Sequence, residues 1–168
     1  MRSPKDLLSH GEFGKKKRVN SRTKGNNFER ACAKIFNGRF NTKEFCRTPG
    51  SGAFGTTHQN LPQYLKVQGD LITPQNFRFI IECKTGYDVR LEDFWKPKSD
   101  LWEFIKQSKR ESKADGRPWL LIYKRTRQPE LLFCEHEFPI SAKLSYKNKI
   151  NVYPFRDVLE LPDELFFS

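Results

Sequence analysis

The stretch that decides the fold of this chain is Gly69–Lys84, GDLITPQNFRFIIECK. Its apolar residues fall into two short runs, about Gly69–Thr73 and Arg78–Lys84, and such runs bounded by turn residues predict β-strands. The residues between the runs, Thr73–Asn76, are typical of a tight connection. We therefore expect the two strands to pair antiparallel.

Polar side chains lie near the ends of these two predicted strands. Side chains alternate between the faces of a strand, so Glu82 and Lys84 point to one face and Cys83 to the other. Asp70 opens the first strand, and pairing would bring Asp70, Glu82 and Lys84 to one end of the sheet. A Glu-x-Lys pattern is also common at the solvated edge of a strand, and that ordinary interpretation stays open here.

Two carboxylates and an ammonium group at one end of a sheet have a clear chemical use. Carboxylate oxygens are the hard ligands that Mg²⁺ prefers, and the ion takes further ligands from water and phosphate. A bound divalent ion lowers the pKa of a water ligand and stabilises charge on phosphoryl oxygens during in-line attack. A neighbouring lysine can orient the nucleophile or stabilise the transition state. The pattern thus indicates metal-dependent phosphodiester chemistry.

A helix is predicted before this region, from about Asn26 to Asn37, with Gly38 ending it. Glu29 lies at the edge of the apolar stripe of this helix. It is either an ordinary boundary residue paired with nearby basic groups or a third carboxylate of the site. The stripe has the helical period and consists of Phe28, Ala31, Cys32, Ile35 and Phe36.

The rest of the chain predicts one more long helix and several strands. The helix runs from Asp100 to Gly116, with Asp100 and Glu103 forming a capping box. Three strands and a helical turn follow, at Trp119–Tyr123, Leu131–Cys134, Val152–Phe155 and Asp157–Leu161. The order α-β-β-β-α-β-β predicts an α/β fold in which helices flank a mixed β-sheet.

Length and composition exclude several classes of protein. The chain has 168 residues, the usual size of one domain. It has no apolar run of the roughly 18 residues that a membrane span needs, and no apolar signal segment. Its four cysteines are scattered without a C-x-x-C pair, which indicates free thiols in a reducing compartment. We therefore expect an intracellular protein of the cytoplasm or nucleoid.

The positive charge is concentrated in two blocks. The net charge is +11, from 31 basic and 20 acidic side chains. Residues 1–25 and 106–127 are both strongly basic, and two such blocks on one small domain favour a nucleic-acid partner. We expect residues 1–22 to form a flexible basic arm and residues 23–168 a single domain. The candidate DNA-binding residues of the arm are Lys15, Lys16, Lys17 and Arg18.

These residues carry a resemblance to a known family. The helix start Asn27–Arg30, then Gly69-Asp70, then Glu82-Cys83-Lys84 are similar to the motifs of the PD-(D/E)xK nuclease superfamily. Within it, the chain most resembles archaeal-type Holliday junction resolvases, including virus-encoded relatives. The loop Arg47–Gly52, RTPGSG, also matches, and the similarity spans about residues 21–127.

The resemblance implies a restriction-endonuclease-like fold and a metal site. Glu29, Asp70 and Glu82 would be the catalytic carboxylates that bind the metal, and Lys84 would be the catalytic lysine. The implied cofactor is Mg²⁺, with Mn²⁺ as a substitute. A virus-encoded chain would act in the host cytoplasm.

The resemblance also implies DNA contacts. The chain departs from the family pattern in two places. Arg47 would contact the DNA backbone, Ser51 would lie near the scissile phosphate, and Gln107 would support the site and its DNA contact unless it simply faces solvent. Gly69 stands where the superfamily's name has proline. The stretch Thr56–Gln68 is longer than expected, which weakens the case for a resolvase over another branch.

The function implied is a Mg²⁺-dependent, structure-selective DNA endonuclease. It would be a homodimeric Holliday junction resolvase that cleaves phosphodiester bonds with metal-activated water in DNA recombination and repair. The alternatives are a general or repair nuclease of the superfamily, an RNA nuclease, and a non-catalytic basic nucleic-acid-binding protein. Acidic groups on a phosphate-binding face oppose binding unless a cation lies between them, which favours a nuclease.

Overall fold

The computed structural model describes residues 20–49, 68–141, 143–147 and 149–168. The helices are α1 (Ser21–Arg39), α2 (Asp100–Asp115) and α3 (Phe155–Leu159), with short 3-10 helices at Leu91–Trp95 and Asp163–Leu165. The strands are β1 (Cys46–Arg47), β2 (Leu71–Ile72), β3 (Ile80–Thr85), β4 (Trp119–Lys124), β5 (Leu131–Cys134), β6 (Leu144–Tyr146) and β7 (Ile150–Pro154).

Five of the strands form a mixed sheet in the order β3-β4-β5-β7-β6. β3 and β4 are parallel, with α2 as the crossover between them, and the other pairs are antiparallel. The predicted α/β fold with helices flanking a mixed sheet is therefore confirmed, and the fold is restriction-endonuclease-like. β6 was not predicted from the sequence.

The two faces of the sheet are covered by different helices because alternate residues of β3 and β4 point to opposite sides. Ile80 of β3 and Leu121 of β4 pack with α2, and Ile81 and Leu120 pack with α1. The helical residues in these two cores are Leu101, Phe104 and Ile105 of α2 and Phe28, Cys32, Ala33 and Phe36 of α1. The catalytic candidates on β3 thus lie on a strand that is fixed from both sides.

α1 is longer than the sequence predicts. It begins at Ser21, because the side chain of Asn20 accepts a hydrogen bond from the backbone N–H of Arg22 and caps the helix. Gly38 does not end it, since α1 continues through Arg39. The buried face includes Glu29, while Ala31 is exposed, so the predicted stripe was wrong at Ala31.

The predicted antiparallel pairing of the two strands in Gly69–Lys84 is wrong. β2 pairs antiparallel with β1, with Cys46 opposite Ile72. Among the described residues, a single bridge joins the β2 region to β3, between Gly69 and Ile81, and it is parallel. Pairing therefore follows the tertiary arrangement and not the nearest predicted strand.

Arg117 holds the connection between β2 and β3 through three hydrogen bonds. Its Nη1 donates to Oγ1 of Thr73 at 2.9 Å and to the carbonyl oxygens of Phe77 and Phe79 at 3.3 Å. Arg117 is buried and also pairs with Asp115. The connection is thus held against the end of α2. Arg117, which belongs to the predicted basic block 106–127, therefore has a structural role.

α2 confirms the second predicted helix but not its capping box. Ser99, not Asp100, is the residue that precedes the first turn, and its side chain makes no capping hydrogen bond. Gly116 ends the helix in a left-handed conformation, with φ 89°. β4 and β5 confirm the two predicted strands after α2.

None of the helices in the described residues has the length and apolar character that a membrane span needs.

Candidate active site

Three of the candidate side chains lie in direct contact. Glu82 and Lys84 are on β3, and Asp70 follows Gly69. The Nζ of Lys84 lies 2.9 Å from Oε2 of Glu82 and 3.4 Å from Oδ2 of Asp70. Glu82 and Asp70 are buried, and the Lys84 side chain is 17% exposed. The structure thus places the lysine between the two carboxylates at the surface of the site.

The backbone holds Asp70 in place although β2 does not pair with β3. The N–H of Asp70 donates to the carbonyl oxygen of Ile81 at 2.8 Å, and the N–H of Cys83 donates to Oδ2 of Asp70 at 2.8 Å. Thr48 adds two bonds, from its N–H to the carbonyl oxygen of Asp70 and from its hydroxyl to that of Gly69. Asp70 is therefore fixed from both neighbouring segments.

α1 contributes Glu29 from its buried face. The Nε of Arg47 donates to Oε2 of Glu29 at 2.5 Å, and the Nη2 of Arg47 donates to Oδ1 of Asn26 at 2.8 Å. Both side chains of the ion pair are largely buried. In this structure Arg47 orients a carboxylate of the site, and its contact with DNA stays a prediction.

α2 contributes Gln107 and one carboxylate that the sequence reasoning missed. The Nε2 of Gln107 donates to Oε2 of Glu82 at 3.1 Å and to Oε1 of Glu111 at 3.0 Å. Glu111 lies four residues after Gln107, one helical turn further along the same face of α2. This four-residue spacing is the sequence feature that could have identified Glu111 as a neighbour of Gln107. Gln107 supports Glu82 directly, and its predicted contact with DNA stays a prediction.

Two carboxyl groups of the site, those of Glu82 and Glu29, have raised pKa values. Burial, followed by the charge of Asp70, raises the pKa of Glu82 well above its usual value, and Glu111 adds to this shift. Burial and the charge of Asp70 also raise the pKa of Glu29, although Arg47 acts in the opposite direction. These shifts show that negative charge is crowded in a poorly solvated space.

The same crowded negative charge raises the pKa of Lys84, which favours its charged form. Burial lowers the pKa of Lys84, but the charges of Glu82 and Asp70 outweigh burial and raise it above the usual value. Lys84 is therefore an ammonium group at neutral pH and offsets part of the excess negative charge.

The donor atoms are of the type that a divalent cation binds, but their side chains are paired with cations of the protein. Among the described residues, no three His, Cys, Asp or Glu side chains are arranged as metal ligands. The Lys84 ammonium bonds both Asp70 and Glu82, and the Arg47 guanidinium bonds Glu29. Buried hard oxygen donors, among which the charge of Asp70 raises the pKa of Glu29 and of Glu82, are what a divalent ion would neutralise.

Some of the predicted DNA-contacting residues lie outside the described residues. These are Ser51 and the basic residues Lys15, Lys16, Lys17 and Arg18. In the second basic block, several side chains are neutralised within the protein. The pairs are Lys106 with Glu103, Lys109 with Glu135, Arg117 with Asp115, Lys124 with Glu130 and Arg125 with Asp88. This block therefore offers less free positive charge than its sequence suggests.

A mixed sheet whose edge strand carries Glu82-x-Lys84 beside Asp70, with Glu29 on a flanking helix, defines a PD-(D/E)xK-type nuclease. The family described as "Phage putative PDDEXK endonuclease" matches residues 20–158. The chain belongs to this family. A search of curated proteins and a search of solved structures each found no match.

Proposed function

We propose that the protein is a Mg²⁺-dependent, structure-selective DNA endonuclease that resolves four-way junctions. The observation that carries the proposal is the contact of Lys84 with both Asp70 and Glu82 in a chain of net charge +11. The basic charge supports binding to a phosphate backbone, and the carboxylate cluster supports a cation at the same place. The selectivity for junctions rests on the resemblance of the sequence to archaeal-type resolvases.

Each side chain has a role in the proposed mechanism. Glu29, Asp70 and Glu82 would hold Mg²⁺, or Mn²⁺ in its place. The bound ion would activate water and stabilise charge on the phosphoryl oxygens. Lys84 keeps a positive charge next to the carboxylates and would stabilise the charge that develops on the phosphate. Gln107 fixes the orientation of Glu82 through its hydrogen bond.

The proposal includes a homodimer that acts on branched DNA in recombination and repair inside the cell. Two strands must be cut to resolve a junction, and two symmetry-related sites would do this. All four cysteines lie within the described residues and are free thiols, which is compatible with a reducing compartment. Light scattering coupled to gel filtration would measure the mass, and a strict monomer on junction DNA would contradict the dimer.

Cleavage of labelled DNA tests the proposal. A four-way junction, a linear duplex of the same sequence and an RNA duplex are each incubated with Mg²⁺ or with EDTA. We expect Mg²⁺-dependent cutting of the junction and little cutting of the others. Asp70→Ala should abolish cutting, whereas Asp157→Asn, at an exposed carboxylate of α3, should leave it unchanged.

The other results separate the alternatives. Equal cutting of junction and duplex indicates a general or repair nuclease, and cutting of RNA indicates a ribonuclease. Salt-sensitive binding without a metal-dependent product indicates a non-catalytic nucleic-acid-binding protein. Full activity of Asp70→Ala would contradict the assignment of the site.

A further inference from the structure

A cleft lies where β3 and β4 end. Its volume is about 910 Å³. One wall is the segment 86–92, which follows β3, and the other is the segment 125–129, which follows β4. Tyr123, Leu131 and Phe133 also line the cleft and contribute apolar surface. This combination of apolar lining and polar walls is typical of sites for small molecules or single groups.

Tyr87 offers an aromatic ring in one wall. Tyr87 is 46% exposed and is one of the few exposed large apolar residues of the described chain. The ring packs edge-on against Phe104, with the centroids 4.8 Å apart. The hydroxyl of Tyr123 donates to the carbonyl oxygen of Tyr87 at 2.6 Å and accepts from the N–H of Val89. The ring is thus held in place while part of it stays open to solvent.

Arginines line the same walls. Arg90 and Arg125 share one acidic partner, Asp88, at 2.9 and 3.6 Å. Arg127 is exposed, has a φ of 61°, and makes no ion pair with the described residues. An arginine held in an unusual backbone conformation at a loop tip is available to an anionic ligand. The cleft therefore combines an exposed ring with a guanidinium group.

The cleft and the site are connected through neighbouring residues, since Tyr123, which lines the cleft, lies opposite Lys84 in the pairing of β3 with β4. Gly86, in its wall, is two residues after Lys84 along the chain. Phe104, which supports Tyr87, lies one turn before Gln107 on α2, and Gln107 donates to Glu82. A DNA strand that passes Lys84 toward the end of β3 would therefore reach the cleft within a short distance.

We propose that this cleft binds an unpaired nucleotide of the strand that is cut, with its base on Tyr87 and a phosphate on Arg127. Stacking on an aromatic ring and contact with arginine are the two features by which proteins bind single strands without reading sequence. The volume of the cleft is more than enough for one unstacked base. Among branched DNAs, the protein would accordingly favour those that expose an unpaired nucleotide next to the cleavage point, and this preference rests on the proposed function.

Binding in the absence of metal tests the cleft separately from catalysis. The probe is a fluorescent oligothymidine, measured by anisotropy in EDTA with the full chain. Stacking of one base is worth about 1–3 kcal/mol, so Tyr87→Ala should weaken binding about 5- to 150-fold. Tyr87→Phe, which keeps the ring, should bind like the wild type. Arg127→Ala should weaken binding and reduce its dependence on salt.

Trp95→Ala is the matched control, because Trp95 is an aromatic residue that is 69% exposed and lies outside the lining of the cleft. It should bind like the wild type. Thermal melting of each variant separates loss of the cleft from loss of the fold, and Arg127→Ala and Tyr87→Phe test the proposal even if Tyr87→Ala does not fold. Unchanged binding by Arg127→Ala, or equal loss by Trp95→Ala, would overturn it. Normal binding by a folded Tyr87→Ala, or a loss by Tyr87→Phe as large as that expected of Tyr87→Ala, would also overturn it.

The same variants distinguish failure of the cleft from failure of the proposed function. If binding depends on Tyr87 and Arg127 but Mg²⁺ yields no cleavage product, the cleft stands and the nuclease proposal fails. If Mg²⁺-dependent cleavage occurs and a fork with unpaired ends is cut no faster than a continuous duplex, the cleft proposal fails and the nuclease stands.

Discussion

A Cβ atom on Gly69 would lie 2.5 Å from the carbonyl oxygen of Ile81, closer than any side chain can approach. Gly69 has a φ of 83°, a conformation that residues with a Cβ rarely adopt. The same carbonyl oxygen accepts the hydrogen bond from Asp70. Glycine at this position thus permits the close approach that places Asp70 beside β3. Proline, which stands here in the superfamily's name, cannot adopt this φ.

Gly69→Ala should therefore damage both stability and activity. The left-handed conformation alone costs about 1–2 kcal/mol with a side chain, and the contact with Ile81 adds to this. We expect the free energy of unfolding in urea to fall by about 2 kcal/mol or more, together with a loss of cleavage.

Gly25→Ala provides the control, because Gly25 lies inside α1 with nothing within 4 Å of an added Cβ. Alanine there should stabilise the protein by up to about 1 kcal/mol through its helix propensity. Equal stability of the Gly69→Ala protein and the wild type would contradict the geometry of this approach.

Glu82→Gln should stabilise the metal-free protein while abolishing cleavage. A carboxyl group whose pKa is raised by folding stabilises the fold most below its unfolded pKa and loses that contribution as the pH rises through the folded value. At pH 7.5 in EDTA the neutral amide should increase the free energy of unfolding by about 1 kcal/mol or more. Glu164→Gln, at an exposed glutamate, should change neither quantity. A large loss of stability in Glu82→Gln would contradict this prediction.

Metal binding should weaken as the solution is acidified. The raised pKa values of Glu29 and Glu82 mean that protons compete with Mg²⁺ at a higher pH than for free carboxylates. We expect the apparent Kd for Mg²⁺ to rise up to about tenfold per pH unit for each proton displaced. Calorimetric titration at several pH values, in buffers of different ionisation enthalpy, measures both the Kd and the protons released. A Kd independent of pH between 5.5 and 8 would exclude carboxylates with raised pKa as ligands.

Lys84→Ala should separate catalysis from metal binding. Removal of a group that stabilises transition-state charge typically lowers the rate about 10²- to 10³-fold. Mg²⁺ should bind at least as tightly as in the wild type, because the ammonium no longer occupies Asp70 and Glu82. Single-turnover cleavage and calorimetry measure the two quantities, with Lys34→Ala, at an exposed lysine of α1, as the control. Loss of metal binding in a folded Lys84→Ala protein would show that the lysine organises the carboxylates instead.

The sequence predicted those strands and helices that show a clear apolar run or a helical apolar stripe. β4 and β5 are apolar runs, β3 begins with one, and α2 has a helical stripe ended by Gly116, so all four were found near their observed bounds. The pairing of β2 was wrong because the partner strand, β1, lies more than twenty residues away along the chain. Turn residues at 73–76 indicate a change of direction but not which strand lies alongside.

The sequence by itself determined the alternation that puts Glu82 and Lys84 on one face, because the period of a strand is fixed by its backbone. It also determined the helical face on which Glu29 lies, and the excess of positive charge. Tertiary structure decided that Lys84 bridges Asp70 and Glu82, that Arg47 pairs with Glu29, and that Glu111 joins the group through Gln107. Those contacts join segments far apart in the chain, and packing of α1 and α2 on opposite faces of the sheet sets their distances.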